Sequence, residues 1–271
     1  MKRLAIVAVL ITAVAAADRS AVAGVPEPEP PSPGWEYLYD GGALPFVWGA
    51  AAVALIAHFA ITPPKTPRLF SNEPGGKPFN GDTVPFYAVV GYAGAGAIGV
   101  ALVPSGARMY HLKGYAEASL TTVALTELAK ETIGRHRPHY SDPNDPEQRR
   151  SFWSGHASTT FATSTYLGLY LHGHLFNHWR APGQSLAWWE LVPDAALAAG
   201  SVWVGWTRLH DNQHNPSDVI TGAAVGTACS VAFYAWQEHL YRGAKRELER
   251  GHQLALMPMF GGRGLGLSGS F

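Results

Sequence analysis

The stretch Ser151-Phe152-Trp153-Ser154-Gly155-His156-Ala157 is a polar loop that turns into the start of an apolar helix. The N-terminus of a helix presents free backbone N–H groups and the positive end of its dipole, which suits a phosphate. Gly155 lets the backbone approach a ligand closely, and Ser154 offers a hydroxyl donor. His156 is placed to protonate a leaving oxygen. The alternative is that Ser154 only caps the helix and His156 is an ordinary first-turn residue.

A basic cluster lies upstream, between residues 130 and 138. Lys130 and Arg137 are seven residues apart, about two helical turns, so both are predicted to point at one pocket. Gly134 is expected to end the helix nearby. Arg135 is interpreted as a solvated neighbour of that pocket.

A third cluster contains Arg208, then His214 after five residues, then Asp218 after three more. His214 and Asp218 are four residues apart at the start of a helix-like run, so they can share one face. Asp218 is expected to accept a hydrogen bond from one ring nitrogen and leave the other free to attack phosphorus. A guanidinium at Arg208 can hold phosphate oxygens with two hydrogen bonds. The alternative is a surface histidine beside a helix-capping aspartate.

Together the clusters hold three fixed cations, a hydroxyl, two imidazoles and a carboxylate, which is what metal-free phosphoryl transfer requires. The predicted catalytic residues are His214, His156 and Asp218. The predicted phosphate-binding residues are Lys130, Arg137, Ser154, Gly155 and Arg208. The sequence has no Cys and His set at zinc spacing, and no metal or other cofactor is predicted.

The amino-acid composition bears on which kinds of molecule the protein can bind. Hydrophobic residues make up 47% of the 271 residues and charged residues only 15%, below the roughly one quarter of an average soluble domain. The net charge is zero, so no electrostatic argument supports nucleic acid as a partner. Cys229 is the single cysteine and is interpreted as a packed thiol.

Six apolar stretches follow the N-terminal region, and each is long enough for a helix without the alternation typical of a strand. They cover Leu44–Ile61, Pro85–Val103, Tyr115–Ile133, Gly155–His172, Trp188–Trp206 and Val219–Leu240. We therefore predict an all-α fold, a six-helix bundle. Leu254–Phe260 and Leu265–Phe271 flank a glycine-rich segment, which predicts a C-terminal β-hairpin.

The two ends of the chain are predicted to lie outside the bundle. Residues 1–17 have the basic start, short apolar core and small-residue cleavage site of a secretory signal peptide. Residues 18–43 are interpreted as a Pro-rich linker. The catalytic domain is assigned to residues 44–240, and the C-terminal extension with its hairpin to residues 241–271.

The sequence leaves open whether the bundle is soluble or associated with a membrane. Mean hydropathy is −0.01, which is low for a protein with many spans. The third stretch carries four charged residues, and each charge at a bilayer centre costs about 2.5–3.5 kcal/mol. A cleaved signal leaves the mature N-terminus outside, and three crossings would then put Arg137 in the cytoplasm. We expect an exported, periplasmic-side protein that is either a soluble or peripheral bundle or has only two early spans.

The chain resembles the type 2 phosphatidic acid phosphatase and vanadium haloperoxidase superfamily in the order and spacing of three motifs. They are Lys130-x6-Arg137-Pro138, Ser154-Gly155-His156 and Arg208-x5-His214-x3-Asp218. The segments at residues 133–140, 151–156 and 214–219 are especially similar to the lipid phosphate phosphatase branch. The resemblance covers about residues 44–240.

The resemblance implies a bundle of the type 2 phosphatidic acid phosphatase kind and a metal-independent phosphatase that forms a phosphohistidine on His214. The implied substrates are phosphate monoesters or diphosphates of lipids, phosphatidate-like or isoprenyl, with membrane association. Trp153 stands where the family commonly has Pro, and Thr207 where it commonly has Ser. Both differences are expected to shape the pocket, and neither removes a catalytic group.

Three other functions compete with this prediction. A soluble periplasmic non-specific acid phosphatase would use the same chemistry on other esters. A vanadium-dependent haloperoxidase would hold vanadate with much the same residues, although this chain lacks the length usual in that branch. A structural or lipid-binding membrane protein without catalysis would require the site groups to coincide by chance.

Overall fold

The computed structural model describes residues 30, 32–39, 44–70, 75–180, 184–251, 255–258 and 265–268. The predicted signal peptide, residues 1–17, lies outside these ranges, as does most of the linker predicted for residues 18–43. Within the described ranges, six α-helices of eleven residues or more form a bundle, which confirms the all-α prediction. They are α1 (Ala50–Ala60), α2 (Phe86–Leu102), α3 (Arg108–Ile133), α4 (Gly155–Leu171), α5 (Leu191–His210) and α6 (Pro216–Gly251).

Shorter elements join the six helices. Trp35–Tyr39, Pro146–Arg149 and Trp188–Glu190 are 3-10 turns, Leu44–Gly49 and His172–Phe176 are π turns, and Asn177–Trp179 is one turn of α-helix. Strands β1 (Ala255–Pro258) and β2 (Leu265–Ser268) pair antiparallel at the C-terminus, where the hairpin was predicted. In the sequence, the hairpin follows the last helix of the bundle.

Two helices are longer than their apolar stretches predict. α3 begins at Arg108 instead of Tyr115, because the buried polar residue His111 in its first turn finds hydrogen-bond partners on α4 and α6. α6 continues past Leu240 to Gly251 through exposed Glu and Arg, which favour helix without requiring burial. Apolar periodicity marks the packed part of a helix, and these extensions lie beyond it.

α4 is the central helix and packs against α2, α3, α5 and α6. The buried serine and threonine hydroxyls of α4 form hydrogen bonds with other groups inside the bundle. For example, Ser164 Oγ lies 2.6 Å from Ser201 Oγ of α5. This pairing removes the cost of burying hydroxyl groups. The main apolar core lies towards the C-terminal half of α4 and consists of Val100, Val103, Tyr115, Ala118, Tyr166, Leu169, Tyr170, Phe233 and Tyr234.

Close approach of α6 to α4 depends on two glycines one turn apart, Gly222 and Gly226. A Cβ at Gly226 would lie 2.0 Å from the Ser158 carbonyl oxygen, and one at Gly222 would lie 2.6 Å from the Ser154 carbonyl oxygen. No side chain can occupy either position unless the helices separate. The glycines therefore hold the start of α6 against the start of α4, where several of the predicted site residues lie.

Gly226→Ala is expected to lower the free energy of unfolding by about 1–3 kcal/mol, because the new methyl group overlaps backbone that cannot move independently. Gly243→Ala is the matched control on the same helix, since a Cβ there meets no atom within 4 Å. The control should be neutral or slightly stabilising. Urea denaturation of both variants measures the difference, and equal stabilities would contradict the close packing.

Much of the lateral surface of the bundle is apolar. Phe59, Tyr87 and Leu102 are 80%, 78% and 75% exposed, and α2 carries no charged residue. Among the described residues, Pro216–Arg250 is the one helix whose length and composition would allow it to cross a membrane. That is weak evidence, because a core helix of a soluble protein meets the same criterion.

Candidate active site

The end of α3 is set by Gly134, which adopts a left-handed conformation with φ of 68°. Its N–H donates to the Lys130 carbonyl at 3.3 Å and closes the helix, as predicted. Arg137 therefore lies in the following loop, so its seven-residue separation from Lys130 is not two turns of one helix. The loop nevertheless folds back, and both cations line one pocket.

That pocket has a volume of about 320 Å³, which is at the small end of the range for ligand sites. Six of the eight predicted site residues line it, drawn from α3, α4, α5 and the two loops that precede α4 and α6. These are Lys130, Arg137, Gly155, His156, Arg208 and His214. Both imidazoles thus face the same cavity.

Ser154 and Asp218 lie behind the pocket and are fully buried. Ser154 Oγ accepts a hydrogen bond from the Ala157 N–H at 3.4 Å and caps α4. Its own N–H donates to the Asp218 carbonyl at 3.1 Å, which joins the starts of α4 and α6. In this arrangement the Ser154 hydroxyl supports the helix end that faces the cavity.

His214 is oriented by a backbone carbonyl. Its Nδ1 lies 2.7 Å from the Ser151 carbonyl oxygen and 3.8 Å from Asp218 Oδ2, so the predicted direct hydrogen bond to Asp218 is absent. Because a carbonyl can only accept, Nδ1 carries the proton and Nε2 keeps its lone pair. The tautomer expected of a nucleophile is therefore set by Ser151.

Asp218 acts on His214 through Ser151. The Ser151 hydroxyl donates to Asp218 Oδ2 at 2.6 Å, and the Asn215 N–H donates to the same oxygen at 2.9 Å. Burial alone would raise the pKa of Asp218, but His214 and these hydrogen bonds lower it. A carboxylate thus anchors both the segment before α4 and the loop that carries His214.

Arg135 is the cationic partner of Asp218, and its interpretation as a solvated neighbour is wrong. It is 4% exposed, and its Nη1 lies 2.5 Å from Asp218 Oδ1 and 2.6 Å from Ser217 Oγ. Its guanidinium lies 3.9 Å from the centre of the Phe70 ring. A buried carboxylate such as that of Asp218 needs a cationic partner. This requirement is the signal in the sequence that points to a basic residue such as Arg135.

Arg208 is almost fully buried and is held by residues from a distant loop. Its Nη1 donates to the Val84 carbonyl at 2.9 Å, and its Nη2 donates to Asp82 Oδ1 at 2.7 Å. Asp211 lies 3.3 Å from the same Nη2. Asp82, which also lines the pocket, is too far away in the sequence for motif spacing to find it.

The other two cations also have protein partners. Lys130 Nζ donates to Glu127 Oε1 at 2.7 Å. Arg137 Nε donates to the Glu147 carbonyl at 2.8 Å, and its Nη1 donates to Gln213. An anion that enters the pocket therefore meets guanidinium and ammonium groups that are already positioned, and it competes with Glu127 and Asp82 for them.

Both imidazoles are neutral near pH 7. Burial lowers the pKa of His214 to about 4, and the nearby Arg137 contributes in the same direction. Burial lowers the pKa of His156 to about 3, and Arg208 adds to this effect. The His156 Nε2 donates to the Val84 carbonyl at 3.0 Å, which positions the ring at the pocket wall.

Anion binding is expected to be coupled to proton uptake. A bound oxyanion favours the protonated imidazoles, so it raises pKa values that lie near 3 and 4 in the free protein. Affinity for tungstate, which stays a dianion near neutral pH, should then fall as pH rises, by up to about tenfold per pH unit for each proton taken up. Titration calorimetry in buffers of different ionisation enthalpy measures the uptake. An affinity independent of pH would contradict this coupling.

Comparison with known proteins agrees with the geometry. Residues 112–242 match the family model of the PAP2 superfamily. Phospholipid phosphatase 2 of Rattus norvegicus is 31% identical over 137 aligned residues, covering 41% of this chain and 48% of that protein. Its Homo sapiens counterpart is 29% identical over 165 residues (49% and 55%), and Phospholipid phosphatase 1 of Rattus norvegicus is 26% identical over 152 residues (47% and 52%).

The chain spans about half the length of these curated relatives. No solved structure matches it significantly. The matched segment contains all eight predicted site residues and runs from the first turns of α3 to the second half of α6. Over residues 112–242, which carry the candidate site, the chain is similar to the PAP2 superfamily.

Proposed function

We propose that this protein is a metal-independent phosphatase that hydrolyses phosphate monoesters or diphosphates of lipids. The observation that carries the proposal is that Lys130, Arg137 and Arg208 line one pocket together with two neutral imidazoles, those of His156 and His214. Three fixed cations can neutralise the charge of a transferring phosphoryl group, as bound metal ions do elsewhere. The names of the relatives point to the same class of ester.

In the proposed reaction, Nε2 of His214 attacks phosphorus in line with the leaving oxygen. The P–N bond forms as the P–O bond breaks, and the products are a phosphohistidine and the leaving group, which is an alcohol from a monoester and a lipid monophosphate from a diphosphate. The bound phosphate raises the pKa of His156, which lets that ring deliver a proton to the departing oxygen. His156 then takes a proton from water, and the resulting attack on phosphorus releases phosphate and restores His214.

The surroundings of the pocket favour an apolar substituent on the phosphate. Phe86 and Val123 line the cavity beside the polar groups. Phe86 is 58% exposed, and its ring lies 5.9 Å from the ring of His156. From there the exposed apolar face of α2 continues through Val90 and Ile98. An acyl or prenyl chain can lie along this face while its head group occupies the pocket.

The test of the activity is phosphate release from a panel of lipid phosphates and isoprenyl diphosphates in EDTA, compared with a water-soluble aryl phosphate. The proposal expects turnover in EDTA and a higher kcat/KM for the lipid substrates. A higher kcat/KM for the soluble ester would favour a non-specific acid phosphatase. Oxidation of bromide with vanadate and peroxide, without phosphate release, would favour a haloperoxidase.

We infer further that the protein is exported and that its apolar lateral surface contacts lipid, with the pocket on the periplasmic side. The exposed aromatic and aliphatic side chains of α1 and α2 support this location. Fractionation followed by a carbonate wash tests membrane association. Proteolysis of the exposed Ser141–Asn144 segment in intact spheroplasts tests the side, because a cytoplasmic loop would survive.

A further inference from the structure

A second cluster of titratable side chains lies at the end of the bundle opposite the phosphate pocket. His111 is in the first turn of α3, His174 is in the π turn after α4, and Glu238 is in the second half of α6. Asp218 and Glu238 are separated by about 30 Å along α6 at 1.5 Å per residue. The phosphatase chemistry makes no use of this cluster.

Both imidazoles of the cluster point at one carboxylate oxygen. Nε2 of His111 lies 3.1 Å from Glu238 Oε2, and Nε2 of His174 lies 3.0 Å from the same atom. All three atoms lie within 4.8 Å of one another. In a tetrahedral zinc site with bonds of about 2.0–2.1 Å, ligand atoms are about 3.3–3.4 Å apart. Two of the three separations here already approach that value.

The second nitrogen of each ring contacts a hydroxyl group. Nδ1 of His111 lies 3.1 Å from Tyr166 Oη, and Nδ1 of His174 lies 3.4 Å from Ser105 Oγ. A hydroxyl can donate or accept, so each ring can move its proton from Nε2 to Nδ1 and keep this contact. Metal-binding histidines are commonly oriented by such a partner on the other nitrogen.

The carboxylate and the surrounding rings complete the arrangement. Arg242 Nε donates to Glu238 Oε1 at 2.6 Å, which leaves Oε2 directed at the two histidines. The rings of Tyr170 and Tyr234 lie 5.0 Å and 4.8 Å from that of His111, which is fully buried. An aromatic shell of this kind limits water and strengthens the attraction between a carboxylate and a cation.

The other group of potential ligands in the described part of the chain is less suited to a cation. It consists of His58, Glu127 and Glu131, close to the phosphate pocket. Lys130 lies 2.7 Å from Glu127, and Arg150 lies 2.6 Å from Glu131, so protein cations already neutralise both carboxylates. In the cluster of His111, His174 and Glu238, the Arg242 guanidinium contacts Glu238 Oε1 and leaves Oε2 to the two histidines.

We propose that His111, His174 and Glu238 bind one Zn²⁺ ion. Two imidazoles and one carboxylate are a ligand set that zinc favours, and calcium and magnesium prefer oxygen ligands. The three ligands come from α3, the turn after α4, and α6. With water in the fourth position, the ion links α3, α6 and the turn after α4 at the end of the bundle opposite the phosphate pocket, and its role is structural.

The test uses the purified full chain after treatment with EDTA and removal of the chelator. Titration with Zn²⁺ alone should show one tight site, and zinc at a hundred times Kd should raise Tm by roughly 5–10 °C. Co²⁺ in place of zinc should give the intense visible bands of a four-coordinate ion. Phosphatase activity at a temperature well below Tm should not depend on zinc.

Glu238→Gln and His174→Ala should each lower zinc affinity by at least about tenfold and remove the Co²⁺ bands, because each loses a ligand. His172→Ala is the matched control, since it removes a neighbouring imidazole whose Nε2 contacts Asp194 at 2.5 Å and not Glu238. Loss of binding in these variants could also result from poor folding. His174→Cys avoids this ambiguity, because a thiolate ligand adds a charge-transfer band to the Co²⁺ spectrum and the test is then the gain of a signal. Absence of tight zinc binding by the unaltered chain, or equal binding by Glu238→Gln, would overturn the proposal.

Discussion

Replacement of His214 by alanine is expected to reduce kcat/KM for a lipid phosphate by roughly 10⁴-fold or more, because the proposed reaction loses its nucleophile. The remaining cations still bind phosphate, so the affinity for inorganic phosphate should change far less than the rate. Steady-state assays in EDTA measure the loss. Quenched reactions with labelled substrate should show a base-stable, acid-labile phosphoprotein in the unaltered chain and none in His214→Ala.

The control for this variant is His239→Ala, which removes an exposed imidazole on α6. Its activity should remain within a factor of two or three of the unaltered protein, since surface substitutions rarely affect stability or distant sites. His156→Ala should retain labelling by a substrate with a good leaving group and should lose turnover. If His214→Ala kept a tenth of the activity, another residue would have to be the nucleophile.

Replacement of Arg135 by alanine is expected to lower the free energy of unfolding by about 3–5 kcal/mol, the usual cost of removing one partner of a buried ion pair. Asp218 would keep its hydrogen bonds from Ser151 and Asn215 but lose its closest cation. Since the Ser151 carbonyl orients His214, kcat should fall as well, with a smaller change in KM. Urea denaturation and steady-state kinetics measure the two effects.

A double-mutant cycle separates the ion pair from general disruption. Arg135→Ala and Asp218→Asn together should cost less than the sum of the single changes, with a coupling energy of about 0.5–3 kcal/mol. Arg246→Ala on the exposed face of α6 is the control and should change stability by less than about 0.5 kcal/mol. Additive effects of Arg135 and Asp218 would show that their contact contributes nothing.

The fold could be predicted from local patterns, because each helix buries a continuous apolar segment and ends at a recognisable residue. Gly134 illustrates this: a glycine beyond the last apolar turn predicts a left-handed helix end, and the structure has one. The same glycine shows where the prediction fails. A count of two helical turns from Lys130 to Arg137 passes through Gly134, where the helix ends, so this spacing does not explain why both cations face one pocket.

Arg135 and Arg137 show why the site could not be predicted completely. They have the same side chain two positions apart, yet one is buried against Asp218 and the other faces the pocket. The local sequence does not distinguish them, because their environments come from α6 and from the loop before α4. Likewise Asp82, the partner of Arg208, lies 126 residues before it.

The amino-acid sequence by itself determined the helical architecture and the residue types that can hold and transfer a phosphate, since both depend on local spacing and side-chain chemistry. The tertiary structure alone decided which atoms meet. It gave the Ser151 carbonyl, and not Asp218, direct contact with His214, and it brought His111, His174 and Glu238 together at the far end of the bundle. Hydrogen-bond partners are chosen by distances of a few tenths of an ångström between segments far apart in the chain, and only the packed helices set those distances.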